Sequence, residues 1–250
     1  MVRSLRRSLA ILECFSLEKP SLSLQEIYRK VELPKSTAFR LVNTLQNAGY
    51  LMQRADQRYT LSYKLLLLGS VVRETQDIRE ISRPLMEELS RTSGETVTLS
   101  TRSNHERICL DVVDSSSALR SVALPGDRLP LLYGATGKMF LACLSDATIE
   151  KIRGEQQIPR KRVTRKALFD AIADIRRSGY ALTKDDRVLG VMAVSVPIRD
   201  ASGEVQYCMT VTGPTGRFEG REQALIDQTV KTGKRVSTLL GFVPSRVLEN

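Results

Sequence analysis

The sequence predicts an α+β protein: a winged helix-turn-helix over residues 1–62, a linker helix over 63–80 and a larger domain over 81–250 built on an antiparallel sheet. Three observations carry this prediction. Residues 22–61 set out a helix, a tight turn, a second helix and a basic hairpin, which is the plan of a winged helix-turn-helix. Residues 63–80 (YKLLLLGSVVRETQDIRE) start apolar and become charged, as a connecting helix does. Beyond residue 81, strand-like and helix-like runs alternate in mixed order, which suggests helices on one face of an antiparallel sheet.

Taken in order, Arg3, Arg6 and Arg7 precede the apolar run Leu9, Ile11, Leu12 and Phe15 of a first helix. Ser23 with Glu26 three residues on, just ahead of Leu24, Ile27 and Val31, forms a capping box that opens the next helix. Pro34 restarts the chain, because its fixed φ and missing N–H suit a first helical turn. In the helix that follows, Ala38, Leu41, Val42 and Leu45 make one apolar stripe, and Ser36, Arg40, Asn43 and Asn47 lie opposite it. Gly49 ends it. Tyr50–Gln53 and Arg58–Leu61 are expected to form a hairpin around Ala55-Asp56-Gln57.

These residue types point to DNA. The helix opening at Lys35, Ser36 and Thr37 directs N–H groups and positive dipole outward. Arg40 and Asn43 are the donors that read base edges or hold phosphates, and Arg54 and Arg58 stand where a wing meets the backbone beside the groove. Charge agrees: residues 1–64 hold eleven Lys and Arg against five Asp and Glu, a net of +6 out of +10 for the whole chain. The front cluster, Arg6 included, is expected to add affinity through counterion release. A solvated amphipathic helix beside an ordinary hairpin explains the periodicity, but not its coincidence with a polar outer face and a basic wing.

Other classes fit poorly. No stretch approaches the roughly 18 apolar residues of a membrane span, and the start of the chain lacks a signal-peptide pattern, so a cytoplasmic protein with no membrane partner is expected. Cys14, Cys109, Cys143 and Cys208 are scattered in apolar contexts without a CxxC pair, which favours free buried thiols over disulfides or zinc. His105 is the only histidine and sits in a polar turn, leaving no metal or Ser-His-Asp constellation to propose. The run Gly134-Ala135-Thr136-Gly137-Lys138 resembles the end of a phosphate-binding loop, but Leu132 and Met139 stand where that pattern needs Gly and Ser or Thr. No enzyme, metal or cofactor is expected.

In the linker, Leu65–Leu68 place apolar groups on every side of one turn, which calls for a partner surface, either a second subunit or the chain's own domains. Pro84 is expected to break the pattern before a helix with Leu85, Met86 and Leu89 that ends near Gly94. Thr96–Thr101, Ile108–Val113 and Arg120–Leu124 read as strands, and Gly137–Leu144 and Asp146–Ile152 as helices. A stronger helix runs from an N-cap at Thr164 to Gly179. Val188–Ile198 and Glu204–Thr212 are strands, and Glu219–Leu240 is a last helix.

The chain resembles the IclR family of bacterial transcription regulators over roughly residues 4–241. The most specific pieces are LPKSTAFRLVNTLQNAGYL with RYTLSYKLLLLG, the runs Gly126–Leu131 and Gly134–Lys138, Asp185–Gly190, and Val211-Thr212-Gly213-Pro214. The resemblance implies an N-terminal winged helix on operator DNA, a linker helix supporting a homodimer or a dimer of dimers, and a GAF-like C-terminal domain. That domain would bind a small metabolite that changes DNA affinity, making the protein a repressor or an activator. Carried over residue by residue, the effector site is Gly134, Ala135, Thr136, Asp186, Ala193, Thr210 and Thr212. The amides of Gly134, Ala135 and Thr136 suit a carboxylate at a helix N-terminus, and the hydroxyls of Thr210 and Thr212 are placed to bind it. Ala193 and Gly134 depart from the cysteine and threonine common at those positions. A rival reading is a sensor that acts through a protein partner, with the winged helix as its contact surface.

Overall fold

The computed structural model describes residues 2–16, 18–75, 77–155 and 164–243. The chain divides into two compact units, residues 1–76 and 77–250.

The first unit packs three helices, α1 (Arg3–Leu12), α2 (Leu24–Lys30) and α3 (Lys35–Asn47), against a small sheet. That sheet has the order β1 (Ser21–Leu22), β3 (Tyr59–Leu61), β2 (Leu51–Gln53), all antiparallel. The expected capping box is formed: Glu26 N donates to Ser23 Oγ and Ser23 N donates to Glu26 Oε2 at 2.8 Å. Ile11, Leu22, Ile27, Val42, Leu45, Leu51 and Tyr59 make the core, so the α3 stripe read from the sequence faces inward. The wing turns through Gln57, whose φ of 63° is left-handed.

The expected helix over 63–80 is divided. α4 spans Tyr63–Thr75 and α5 spans Ile78–Ser93, opened by an N-cap at Asp77; position 76 lies outside the described residues. Pro84 does not break α5, contrary to expectation. It sits on the exposed side, while Ser82, Leu85, Met86 and Leu89 on the other side are buried. Their packing outweighs the roughly 3 kcal/mol that an interior proline costs.

The second unit is a six-stranded antiparallel sheet in the order β6 (Arg128–Pro130), β5 (Glu106–Val113), β4 (Thr96–Ser103), β9 (Val205–Pro214), β8 (Val191–Arg199), β7 (Ala181–Lys184). Helices cover both faces rather than the one expected. α5 and α10 (Glu222–Leu239) pack on a face of Val97, Leu99, Met192, Val194, Val196, Met209 and Val211. α6 (Gly134–Ala142), α7 (Asp146–Glu155) and α8 (Arg165–Ser178) enclose a second core with Leu131, Phe140, Ile172 and Cys208 on the opposite face. The single turn α9 (Thr215–Phe218) follows β9. Period-2 alternation turns successive residues of the central strands toward opposite cores.

Arg120–Leu124 is not a strand. β6 occupies the edge of β5 instead, and residues 119–123 are held by other bonds. Thr96 Oγ1 donates to Ser121 O at 3.1 Å and Arg217 Nη1 donates to Leu119 O at 2.8 Å. The same guanidinium pairs with Glu95, only 1% exposed, at 2.5 Å. The short strand β7 was not foreseen. All four cysteines are free, but only Cys109 and Cys208 are buried and Cys143 is exposed. Burial raises the Cys109 thiol to about 11.

Candidate DNA interface and effector pocket

α3 begins directly after Pro34, which has φ −56° and supplies no side-chain cap. The first intrahelical bond runs from Ala38 N to Pro34 O at 3.0 Å, so the amides of Lys35, Ser36 and Thr37 precede it and lack acceptors in the helix. Ala38, Val42 and Leu45 are buried. On the other side Ser36, Arg40 and Asn47 are exposed, with Thr37 and Asn43 half-buried at the margins. The charged groups of Arg6, Lys35, Arg40 and Arg54 make no hydrogen bond or ion pair among the described residues. Phe39, 47% exposed, lies beside Arg40 and escaped the sequence reading. Its signal was an aromatic outside the apolar stripe.

Arg58 is placed differently from the expectation of a wing residue turned toward phosphates. Its Nη2 donates to Ser21 O at 3.0 Å and pairs with Glu26 Oε2 at 2.9 Å, and its Nε donates to Ser21 Oγ at 3.3 Å. It ties β3 to β1 and to the start of α2. The reason is local: Glu26, held by the Ser23 amide and hydroxyl, is a fixed anion beside β3, and those bonds keep its carboxyl below the usual range. The wing cation without a partner among the described residues is Arg54, at the turn.

In the second unit the seven residues expected at the effector site come together. Gly134, Ala135, Thr136, Asp186, Ala193, Thr210 and Thr212 all line one cavity of about 50 Å³ between α6 and the sheet. Two features set its roof. Gly134 has φ +70°, a left-handed turn into α6 that glycine adopts without strain. Gly137 packs so closely that a Cβ there would lie 2.2 Å from Leu131 O.

The helix N-terminus is not vacant for a ligand as expected. Asp186, from the turn between β7 and β8, accepts from Gly134 N through Oδ2 at 2.6 Å and pairs through Oδ1 with Lys138 Nζ at 2.7 Å. A carboxylate therefore already sits where the dipole favours one, and it belongs to the chain. The amides of Ala135 and Thr136 retain no acceptor among the described residues.

The floor of the cavity is a ladder of hydroxyls. Thr183, Ala193 and Thr212 face one another across β7, β8 and β9, and the next rung holds Ser195, Thr210 and Thr98. Thr210 is engaged internally: its hydroxyl donates to Ser195 Oγ at 2.8 Å and shares a hydrogen bond of 2.8 Å with Thr136 Oγ1. This differs from the expected ligand contact, and the cause is burial, since Thr136, Ser195 and Thr210 are at most 4% exposed and must satisfy one another. The hydroxyls of Thr98, Thr183 and Thr212 have no partner among the described residues. Two cations missed from the sequence complete the wall: Arg107 on β5 and Arg187 in the 185–190 turn. Arg107 stands two residues before the buried Cys109, so a cation at an inward position was the signal.

Among the described residues no group of His, Cys, Asp and Glu is arranged to hold a metal ion, and no helix is long and apolar enough to cross a membrane.

Comparison with known proteins adds to this geometry. Residues 4–55 match the model of the IclR helix-turn-helix domain, and residues 71–238 match that of the bacterial transcriptional regulator IclR C-terminal domain. The chain is similar to the HTH-type transcriptional regulator XynR of Escherichia coli K12, at 30% identity over 248 residues, covering 97% of this chain and 98% of the relative. It is also similar to the crystal structure of Pseudomonas aeruginosa HmgR, with a TM-score of 0.83 and 26% identity over 98% of this chain and 100% of the other. The fold further matches a putative IclR transcriptional regulator from Silicibacter sp. TM1040, with a TM-score of 0.89 at 23% identity and 97% coverage of each chain.

Proposed function

This chain belongs to the IclR family of bacterial transcriptional regulators, and from that premise we propose that it binds a two-fold operator as a homodimer or a dimer of dimers. We propose further that a small organic acid in the α6 cavity changes its operator affinity. It is a DNA-binding transcriptional regulator with an N-terminal helix-turn-helix and a C-terminal effector domain. The observation that carries the DNA-binding assignment is the uncapped, outward-facing start of α3, where Lys35 and Arg40 have no partner among the described residues. Lys35, Ser36 and Thr37 bind phosphate through amides and side chains, Arg40 and Asn43 read the major groove, and Arg6 and Arg54 add backbone contacts. Arg58 acts by holding the wing in place. Such a regulator works beside the chromosome, in the cytoplasm, as a binding protein and not as a catalyst. The rival reading, contact with a protein partner, finds no support in the matched families.

The effector assignment is supported by unpaired donors converging on one cavity: the Ala135 and Thr136 amides and the Thr212 hydroxyl. Self-association is supported by α4, which exposes Tyr63, Leu66, Leu67 and Leu68 at 48–79%, too much apolar surface for a lone solvated helix. A gel-shift titration on the DNA adjoining the chain's own gene tests the whole reading. Binding should weaken steeply with salt and respond to one member of a panel of small organic acids. Leu66→Glu with Leu67→Glu should weaken dimerisation and, with it, operator binding, because a two-fold site rewards paired recognition helices. A wild-type chain that sediments as a monomer at micromolar concentration and still binds its operator fully would refute the dimer.

A further inference from the structure

We propose that the cavity selects a compact dianion, with Arg107 and Arg187 holding a second ionised group that a simple monocarboxylate lacks. This rests on the reading of the cavity as the effector site.

Four ionised groups line or border the cavity. Lys138 and Asp186 neutralise one another at 2.7 Å, with side chains only 13% and 20% exposed, and Asp186 also takes the Gly134 amide. Arg107 and Arg187 remain, and neither guanidinium makes a hydrogen bond or ion pair among the described residues. The wall therefore carries a net of two positive charges. Burial first, and repulsion from Arg187 second, push the Arg107 pKa down. Arg187 is exposed, but Arg107 is half-buried and faces the cavity without a counter-charge, and a charge taken out of water is ordinarily paired or ligated. An anion between them removes both penalties.

The arrangement also separates two anion-binding poles. One is the Ala135 and Thr136 amides with the Thr212 hydroxyl, above β9. The other is Arg107 on β5, with β4 between it and β9. The cavity is small, about 50 Å³, so the two ionised groups are joined by a short framework. Short dicarboxylates and small phosphorylated acids share this chemistry.

The test is calorimetric titration of the full chain with acids paired by length: malonate against propionate, and succinate against butyrate, with inorganic phosphate as a separate arm. In the wild type at least one dicarboxylate should bind about tenfold or more tightly than its monocarboxylate partner, the scale of one charge-assisted contact. In Arg107→Gln that gap should fall to about twofold while monocarboxylate affinity is kept; Arg107→Lys, which retains the charge, should restore part of it. Arg187→Gln, at an exposed position with no folding role, provides an independent reduction. Phosphate binding with the same Arg107 dependence would support the dianion site and assign it to phosphorylated acids, whereas dicarboxylates binding without phosphate would assign it to dicarboxylates. Equal affinities within each pair, or a gap intact in both arginine variants, would overturn the proposal and leave the effector site standing. If no acid of either kind bound the wild type, both would fall.

Discussion

The helix starts at α3 and α6 pose the same electrostatic problem and meet it in opposite ways. Neither has a side-chain cap from its own N-cap residue, Pro34 in one and Tyr133 in the other. At α3 the first amides face solvent beside Lys35 and Arg40, and no acid stands in the first turn. At α6 the chain supplies its own anion, Asp186, and balances that with Lys138. An exposed helix end tolerates open amides because water satisfies them until a phosphate arrives. At the buried one the chain fills the first amide, Gly134, with Asp186 and leaves those of Ala135 and Thr136 open toward the cavity. The difference teaches that a helix N-terminus is a docking site only to the extent that its own protein leaves it unfilled.

The largest expected effect tests the filled end. Asp186→Ala leaves the half-buried Lys138 without a counter-charge and Gly134 without an acceptor, so urea denaturation should show a loss of about 3 kcal/mol in the C-terminal unit. A loss below the error of the measurement would mean that Asp186 is not what closes α6. At the open end, Arg40→Ala should leave the fold intact and cost about 1–3 kcal/mol in operator binding. An unchanged gel-shift midpoint in the folded variant would remove Arg40 from the interface.

The next contrast lies within the cavity, between two threonines on one strand face. Thr210→Val strands the Thr136 and Ser195 hydroxyls and should lower stability by about 1–2 kcal/mol. Thr212→Val, whose hydroxyl has no internal partner, should leave the melting temperature alone and weaken effector binding. Equal melting temperatures for the two variants would contradict the division between structural and ligand-facing hydroxyls.

The smallest effect concerns the wing. Hydrogen bonds from Ser23 first, then the charge of Arg58, lower the Glu26 pKa from its ordinary 4.5. A group whose folded pKa is depressed stabilises fully above its unfolded value, and that contribution is lost as pH falls through the lower, folded value. The N-terminal unit should therefore lose a small part of its stability below pH 4.5, and Glu26→Gln should be less stable at neutral pH but lack this acid step. An identical acid profile in the variant would show that the capping box does not titrate with folding.

How much was legible depended on distance along the chain. The capping box, the α3 stripe and the Thr164 and Gly179 boundaries of α8 are set by residues within a few positions of one another, so spacing alone revealed them. The seven cavity residues were found through resemblance, because they come from α6, β8, β9 and the 185–190 turn, which no local pattern joins. The kind of element at most positions, and which of its faces is apolar, follow from the order of residues alone, since propensity and periodicity act over one or two turns. Only the tertiary structure decided which polar groups meet. It turned Arg58 inward to Glu26 and gave the α6 amide to Asp186. It also bound Thr210 to Thr136 and Ser195 and left Arg107 facing the cavity unpaired. The physical reason is that a hydrogen bond or an ion pair acts over about 3–4 Å in space whatever the separation in sequence, so each group's partner is fixed only when packing has brought distant strands and turns together.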